Sequence, residues 1–487
     1  GRSRQPAQSA DTGHNHDEAE LPVRGWRARG DQASAFGADG PTGPETSDAE
    51  WPPPPKTSQR SAKIAVIGAG YVGLSTAVSL AYLGHEVCCG DIDATKVERL
   101  ARGEPTIFEE GLDEMLRQGL ATGRLRFVTG AANAVLGANF VFLCVPTPRR
   151  PDGSADTDAL CAAASEIGPH LEHGAVVVNK STVPVGSTVL VERMLQRVDV
   201  AVVSNPEFLR EGSAIHDCLH PDRVVVGADD PAAAARVGSL FAATGAPLIV
   251  TDAATAETIK YASNAFLATK LSFVNAIASL CEALGADVRD VLLGMAYDRR
   301  IGFEYLRPGP GWGGSCLPKD TRALVYLAEQ AGYDFALLKA AIEANDRQLA
   351  QVVEKAKAVA GGDLRGRVAA IWGLTFKAGT DDRRDSPAIE VCRRLLAEGT
   401  VLQAYDPTVT GKVPELGDEV IVSADPYAAC EGAHLLFVLT EWEELRWLDF
   451  SKVKNLLESP RVVDARNLLD PAALRRMGFE YVGLGRR

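Results

Sequence analysis

Residues 63–93, KIAVIGAGYVGLSTAVSLAYLGHEVCCGDID, constrain the fold more than any other stretch of the chain. An apolar run, Ile64 to Ile67, meets the glycine pattern GAGYVG; a helical pattern follows to Gly84, and a second strand run closes on Asp91. In that context the pattern reads as a βαβ unit that holds a dinucleotide. Gly68 makes the tight turn, Gly70 admits the pyrophosphate beside Tyr71 and Val72, and Gly73 lets the helix sit close to the strand. The helix N-terminus turns its partial positive charge toward the phosphates. Asp91, at the end of the second strand, suits a ribose 2′-hydroxyl and repels a 2′-phosphate, so the expected cofactor is NAD rather than NADP. Lys96, a few residues on, would soften that preference in part.

Strand-like runs continue at ANFVFLCVPTP, GAVVVNKSTVPVG, VAVVSNPEFL and RVVVGAD, with helical patterns between them, as in a doubly wound sheet. CVPTP and STVPVG put Thr147 and Thr182 at carboxyl ends of strands, where such sheets bind ligands. Strand character then fades, and TAETIKYASNAFLATKLSFVNAIASLCEALG predicts one long helix stopping near Gly285. From about Gly366 strand and helix alternate again, which predicts a second, smaller α/β domain. The expected architecture is α/β: two Rossmann-like doubly wound domains, 61–254 and 361–487, joined by a central long-helix region over 255–360. Residues 1–60, rich in Gly, Pro, Ala, Ser and mixed charge, lack the apolar content to offset ordering entropy and are expected to form a disordered N-terminal tail. Its prolines at 52–55 fit a polyproline II linker or a docking motif.

Charge narrows the partners. With 51 Lys+Arg against 64 Asp+Glu, the net charge of −13 argues against nucleic acid and anionic membranes, though a pocket can still be locally basic. Nine dispersed cysteines, an odd number, read as reduced thiols in a cytoplasmic protein, with no metal site at the adjacent Cys88 and Cys89. No uninterrupted apolar run approaches the ~18 residues that span a bilayer. One cysteine stands apart. In GPGWGGSCLPKD, Cys316 lies between a glycine run and the pair Lys319–Asp320. Local sequence leaves two readings open, an activated nucleophile or a buried loop thiol.

GAGYVGL, STVPVG, NPEFLREGSAI, IKYASNAFLATK, GPGWGGSCLPKD and FKAGTDDRRDSP stand in the order and spacing of the UDP-glucose/GDP-mannose dehydrogenases. The chain after residue 60 resembles that family, and within it the bacterial UDP-glucose 6-dehydrogenases. The resemblance implies an NAD domain, a central dimerisation and catalytic region, a C-terminal UDP-sugar-binding domain, and a homodimer or higher homo-oligomer. It also implies a four-electron oxidation of UDP-glucose to UDP-glucuronate with two NAD consumed. Cys316 would form a thiohemiacetal and then a thioester.

The same resemblance assigns the remaining residues. Lys260 and Asn264, four apart on one helix face, would donate to the C6 oxygen; the plain alternative is a solvated lysine beside a surface asparagine. Asp320 would orient or deprotonate a water or the Lys260–substrate network, and Thr182 would position water. Glu207 and Glu211, with Phe208, Leu209 and Arg210 between them, would contact substrate, and Glu211 would also touch cofactor or hydrolytic water; the alternative is an acidic helix start. Lys319 would lie near the nicotinamide and Arg384 would reach NAD, with Thr147 also on the cofactor. Tyr305, Leu306, Arg307, Pro308 and Gly309, with Gly313, Phe376 and Lys377, would hold the substrate, and Arg300 would cross from a partner subunit. Glu304 stands where the family often has a basic residue, and Ala378 where it often has Pro, which leaves the nucleotide end less defined. GDP-mannose or an N-acetylated UDP-sugar remains an alternative substrate. A non-catalytic NAD- or nucleotide-sugar-binding regulator remains a third reading, against which stands the complete set Cys316, Lys260, Asn264 and Asp320.

Overall fold

The computed structural model describes residues 61–486 except Glu419, so the expectation for residues 1–60 lies outside the described residues. The first sheet takes eight strands: β1 Lys63–Ile67, β2 Glu86–Asp91, β3 Leu125–Thr129, β4 Phe140–Leu143, β5 Val176–Asn179, β6 Ala201–Ser204, β7 Val224–Gly227 and β8 Leu248–Thr251. Their order is β3-β2-β1-β4-β5-β6-β7-β8. The strands β1 to β6 run parallel, and β4 and β5 are buried on both faces, as helices on either side of a parallel sheet require. The doubly wound pattern stops at β6. β7 meets β6 antiparallel at Ser204–Gly227 and carries β8 parallel to itself. A parallel return needs a crossover to the far end of the sheet. Residues 205–223 hold instead a loop and a six-residue helix, Ala214–Leu219, and the chain re-enters from the same end.

The second sheet repeats the winding in smaller form. Its strands are β9 Val368–Trp372, β10 Val401–Tyr405, β11 Ile421–Val422, β12 Leu435–Val438, β13 Arg461–Asp464 and β14 Glu480–Val482, ordered β11-β10-β9-β12-β13-β14 and all parallel.

Between the sheets runs a helix of 32 residues, Ala253–Leu284. The Asp252 side chain caps its start by accepting from the Thr255 N–H at 2.8 Å, and Gly285 ends it in the left-handed region at φ 70°. By length and composition alone this helix is apolar enough to cross a membrane. Its packing points elsewhere: Glu257, Lys260, Asn264, Ser272 and Asn275 are all buried, and the helices Leu317–Gln330 and Ala336–Ala360 lie against it. Its other side is apolar and open. Phe266, Phe273, Leu280 and Leu284 are 68%, 53%, 50% and 73% exposed, at helical spacing along one stripe.

Candidate active site

The cofactor cradle forms where β1 turns into the helix Tyr71–Tyr82. Gly68 takes φ 98°, and a Cβ on Gly73 would lie 1.7 Å from the Gly68 carbonyl oxygen, so both glycines serve the turn and the packing. Gly70 differs. It has no positive φ, and a Cβ there would meet nothing within 4 Å. Nothing in the fold asks for glycine at 70; a ligand approaching the backbone does, as a dinucleotide pyrophosphate would. Val72 packs onto the core of the sheet. Asp91 accepts from the Ala69 N–H at 2.8 Å, the Asp93 N–H at 2.9 Å and Lys96 Nζ at 3.2 Å. Burial opposes its charge, but those donors hold its carboxyl below the usual range. Lys96 is therefore Asp91's ion-pair partner. Thr147 donates to the Thr182 carbonyl oxygen at 2.7 Å, tying the loops after β4 and β5 together.

The catalytic candidates converge at the start of the helix Leu317–Gln330, for which Cys316 is the N-cap residue. Lys260 Nζ pairs with Glu207 Oε1 at 2.9 Å, each side chain 4% exposed, and lies 5.5 Å from the Phe208 ring centre. Burial works against the ammonium, yet Glu207, Cys316 and Asp320 overcome it and raise its pKa to about 12. Lys260 is thus a fixed cation and not the solvated lysine of the plainer reading. Asn264 donates to Asp320 Oδ2 at 2.6 Å, and Lys319 Nζ donates to Oδ1 at 2.5 Å. Burial pushes the Cys316 thiol up to about 11, with Lys260 pulling it down and Glu207 and Asp320 adding to the rise. A thiolate poised by neighbouring lysines is not what this arrangement gives, because desolvation outweighs the cation; the thiol is neutral until it reacts. A buried ammonium and an amide beside a thiol can hold an oxygen as negative charge grows on it.

The segment NPEFLREG is a loop rather than a helix start, and Gly212 closes it with a positive φ of 84°. Its two acids face different partners. Glu207 takes Lys260 and the Leu209 N–H, whereas Glu211 accepts from Ser315 Oγ at 2.7 Å and from Thr380 Oγ1 and Arg384 at 3.4 Å each. Burial, with Asp382 adding, raises Glu211 to about 7. Arg210 is held by Asp217 at 2.6 Å. A cleft of about 390 Å³ is lined by Glu211, Tyr71, Thr380, Asp382 and Arg384.

The glycine run around the cysteine is explained by what presses on it. A Cβ on Gly313 would lie 2.0 Å from the Asp385 carbonyl oxygen, and one on Gly314 2.9 Å from the Phe376 ring. The rest of the loop hangs on the long helices: Gly309 on Asn275 and Gln348, Trp312 on Asn345 and Ser272. Tyr305 takes φ 59°, Leu306 is buried, and Pro308 leads into the anchored Gly309, while Arg307 is exposed. Burial lowers the Lys377 pKa against the pull of Glu211 and Glu441, and its Nζ lies 5.6 Å from the Phe376 ring centre at this end. Arg300 is not brought to the site: its guanidinium pairs with Asp298 at 2.6 Å, with 89% of the side chain exposed.

Sequence reasoning missed four contributors. Ser315 bridges Glu211 and the nucleophile loop. Glu109 hydrogen-bonds Tyr71 and accepts from the Gly212 and Ala214 N–H groups at 2.8 and 2.6 Å, joining the cofactor turn to the acidic loop. Arg466 donates to the Phe376 carbonyl at 2.7 Å and faces Gly309, adding a cation at the nucleotide end. Asn345 holds both backbone groups of Trp312. For all four the partners are too distant in sequence to be read.

Residues 62–244, 254–347 and 370–471 match the NAD binding, central and UDP binding domains of the UDP-glucose/GDP-mannose dehydrogenase family. The chain is 45% identical to a UDP-glucose 6-dehydrogenase of Rhizobium meliloti, over 87% of its length and 99% of that protein. It superimposes on a UDP-glucose dehydrogenase from Pyrobaculum islandicum with a TM-score of 0.82 at 39% identity, covering 89% of this chain and 99% of that one. A UDP-D-ManNAc dehydrogenase from Pyrococcus horikoshii gives 0.77 at 28% identity, covering 87% and 99%. With a cradle that fits NAD and a thiol set among Lys260, Asn264 and Asp320, the chain belongs to the UDP-glucose/GDP-mannose dehydrogenase family.

Proposed function

We propose that the chain oxidises the C6 alcohol of UDP-glucose to the carboxylate of UDP-glucuronate. The observation that carries this reading is the neutral Cys316 thiol facing a buried, charged Lys260 at the first turn of a helix. Similarity to UDP-glucose 6-dehydrogenases over most of the chain favours glucose over N-acetylated or GDP-linked sugars. NAD would supply the hydride acceptor, and the Gly68–Gly73 turn and Asp91 would hold it, with Tyr71 and Arg384 lining the cleft. Two oxidations at one carbon set different demands. At the first, Lys260 and Asn264 hold the C6 oxygen. An aldehyde then has no readily lost hydride until a nucleophile adds to it. Addition of the Cys316 sulfur restores one, and the next oxidation leaves a thioester, which water opens to release the acid. Asp320 fixes Asn264 and Lys319 around that carbon, and Thr182 and Glu211 are the residues whose family counterparts position that water. Lys377 and Arg466, with the 305–309 segment and Gly313, receive the diphosphate.

The acting unit is a homodimer or larger homo-oligomer. The stripe from Phe266 to Leu284 supplies the apolar face, and Arg300, paired with Asp298 and away from its own site, serves the neighbour's site. All nine cysteines are free, which supports a cytoplasmic setting. The test is stoichiometric: with excess NAD, each UDP-glucose consumed should give two NADH and one UDP-glucuronate. One NADH with aldehyde accumulating, or turnover confined to another nucleotide sugar in the same panel, would overturn the reading.

A further inference from the structure

Among the described residues, no carboxylate is hydrogen-bonded to the Cys316 sulfur, although the thiol is protonated at neutral pH and must shed its proton to attack. The nearby groups are committed. Lys260 is already protonated, Asp320 holds Asn264 and Lys319, and Glu207 holds Lys260 and the Leu209 N–H. The hydroxyl that touches the sulfur is that of Ser315, with Oγ 3.5 Å from Cys316 Sγ and 2.7 Å from Glu211 Oε1. Sulfur, hydroxyl and carboxylate thus form an unbroken chain.

We propose that Ser315 relays the Cys316 thiol proton to Glu211 as the sulfur adds to the aldehyde carbon, an inference that rests on Cys316 being the nucleophile. The S–H bond breaks and the S–C bond forms. The carbonyl π pair moves onto the oxygen held by Lys260 and Asn264. Ser315 gains the thiol proton while passing its own to Glu211, and so ends unchanged; no further reactant enters. Glu211 suits the acceptor role because burial places it at about 7, near the pH at which it has to work. Around it stand Thr380, Asp382 and Arg384, with Lys377 within electrostatic reach; around the thiol stand Lys260, Glu207, Asp320 and Arg384.

The test separates the two oxidations. Full-length Ser315→Ala and Glu211→Gln proteins are mixed with UDP-glucose and NAD and NADH is followed through the first turnover. The ratio of the second NADH's rate to the first's should fall at least ~10²-fold in both. The double variant should be no slower than either single one, because both break one relay. Ser315→Thr, which keeps the hydroxyl, should recover most of the second step. In wild type the rate of that step should rise with pH through about 7, as Glu211 ionises, and Ser315→Ala should lose this dependence. A Ser315→Ala protein that keeps the second step, or slows both steps alike without rescue by Thr, overturns the relay. Cys316→Ser is the companion measurement: if it too makes the second NADH at the wild-type rate, the nucleophile reading itself fails, whereas loss there and none in Ser315→Ala sinks the relay alone.

Discussion

The Lys260–Glu207 pair shows how a residue can serve both stability and chemistry. Burying two charges gains little over an apolar pair, but removing one partner strands the other, at a cost of about 3–5 kcal/mol. Lys260→Met should therefore lose both turnover and roughly that much unfolding free energy. Adding Glu207→Gln removes the stranded charge, so the double variant should regain most of the stability and none of the activity. Denaturant unfolding beside an NADH assay distinguishes the two. Against burial, Lys260 holds Glu207 below its ordinary pKa, so its contribution is present above the unfolded value and lost as pH falls through the folded one. Lys260 is raised, so its share is present below the unfolded value and lost as pH rises through about 12. In the single variant burial raises the stranded Glu207, so the deficit should grow as pH rises above the unfolded glutamate value. A double variant as unstable as Lys260→Met would mean that the lysine supplies packing rather than charge. Lys260, Asn264, Cys316 and Asp320 could be read in the sequence because each sits in a short motif with its chemistry beside it. Asn345, Gln348 and Arg466 could not, since their partners lie 33, 39 and 90 residues away.

At the scale of elements, two glycines of one turn should fail in different ways. Gly70→Ala places its methyl in open space, so the protein should fold with an unchanged Tm and lose NAD affinity, because the methyl occupies the pyrophosphate's approach. Gly73→Ala drives a methyl into the Gly68 carbonyl, so it should unfold more readily before NAD binding is even measured. Thermal melts and NAD titration of the two proteins check this; a Gly70→Ala protein that binds NAD as tightly as wild type removes the close approach from the argument. The same turn explains what the sequence makes plain. Apolar runs meeting glycine and then a helical period leave a parallel βαβ unit as the natural reading, and the 32-residue helix follows from its period and from Gly285. The reversal at β7 was not legible. Strand direction is decided by the path of the connection, and residues 205–223 look like any other loop with a helix until their partners, Lys260 and Ser315, are in place.

For the whole molecule, the open stripe and the idle arginine make one argument. Four large apolar side chains along a helix are each at least half exposed among the described residues, and a second copy offers the same face through a two-fold axis. Phe273→Asp should therefore shift the protein toward monomer in sedimentation and lower turnover with it. The loss of activity needs a reason beyond stability, and Arg300 provides one: it lies on the exposed turn after the helix Val288–Ala296, pointed at no group of its own site. If it completes the neighbour's site, then Arg300→Ala and Cys316→Ser chains, each weak alone, should complement one another when co-expressed. In a hybrid dimer the Arg300→Ala chain keeps its cysteine and receives the arginine of the other chain, while the reciprocal site lacks both. Random pairing makes about half the dimers hybrids with one complete site each, so activity should recover to about a quarter of wild type per chain. Recovery requires the arginine to act across the interface. If mixed dimers stay as inactive as either parent, Arg300 acts within its own chain or not at all, and the stripe is a contact without a share in the site.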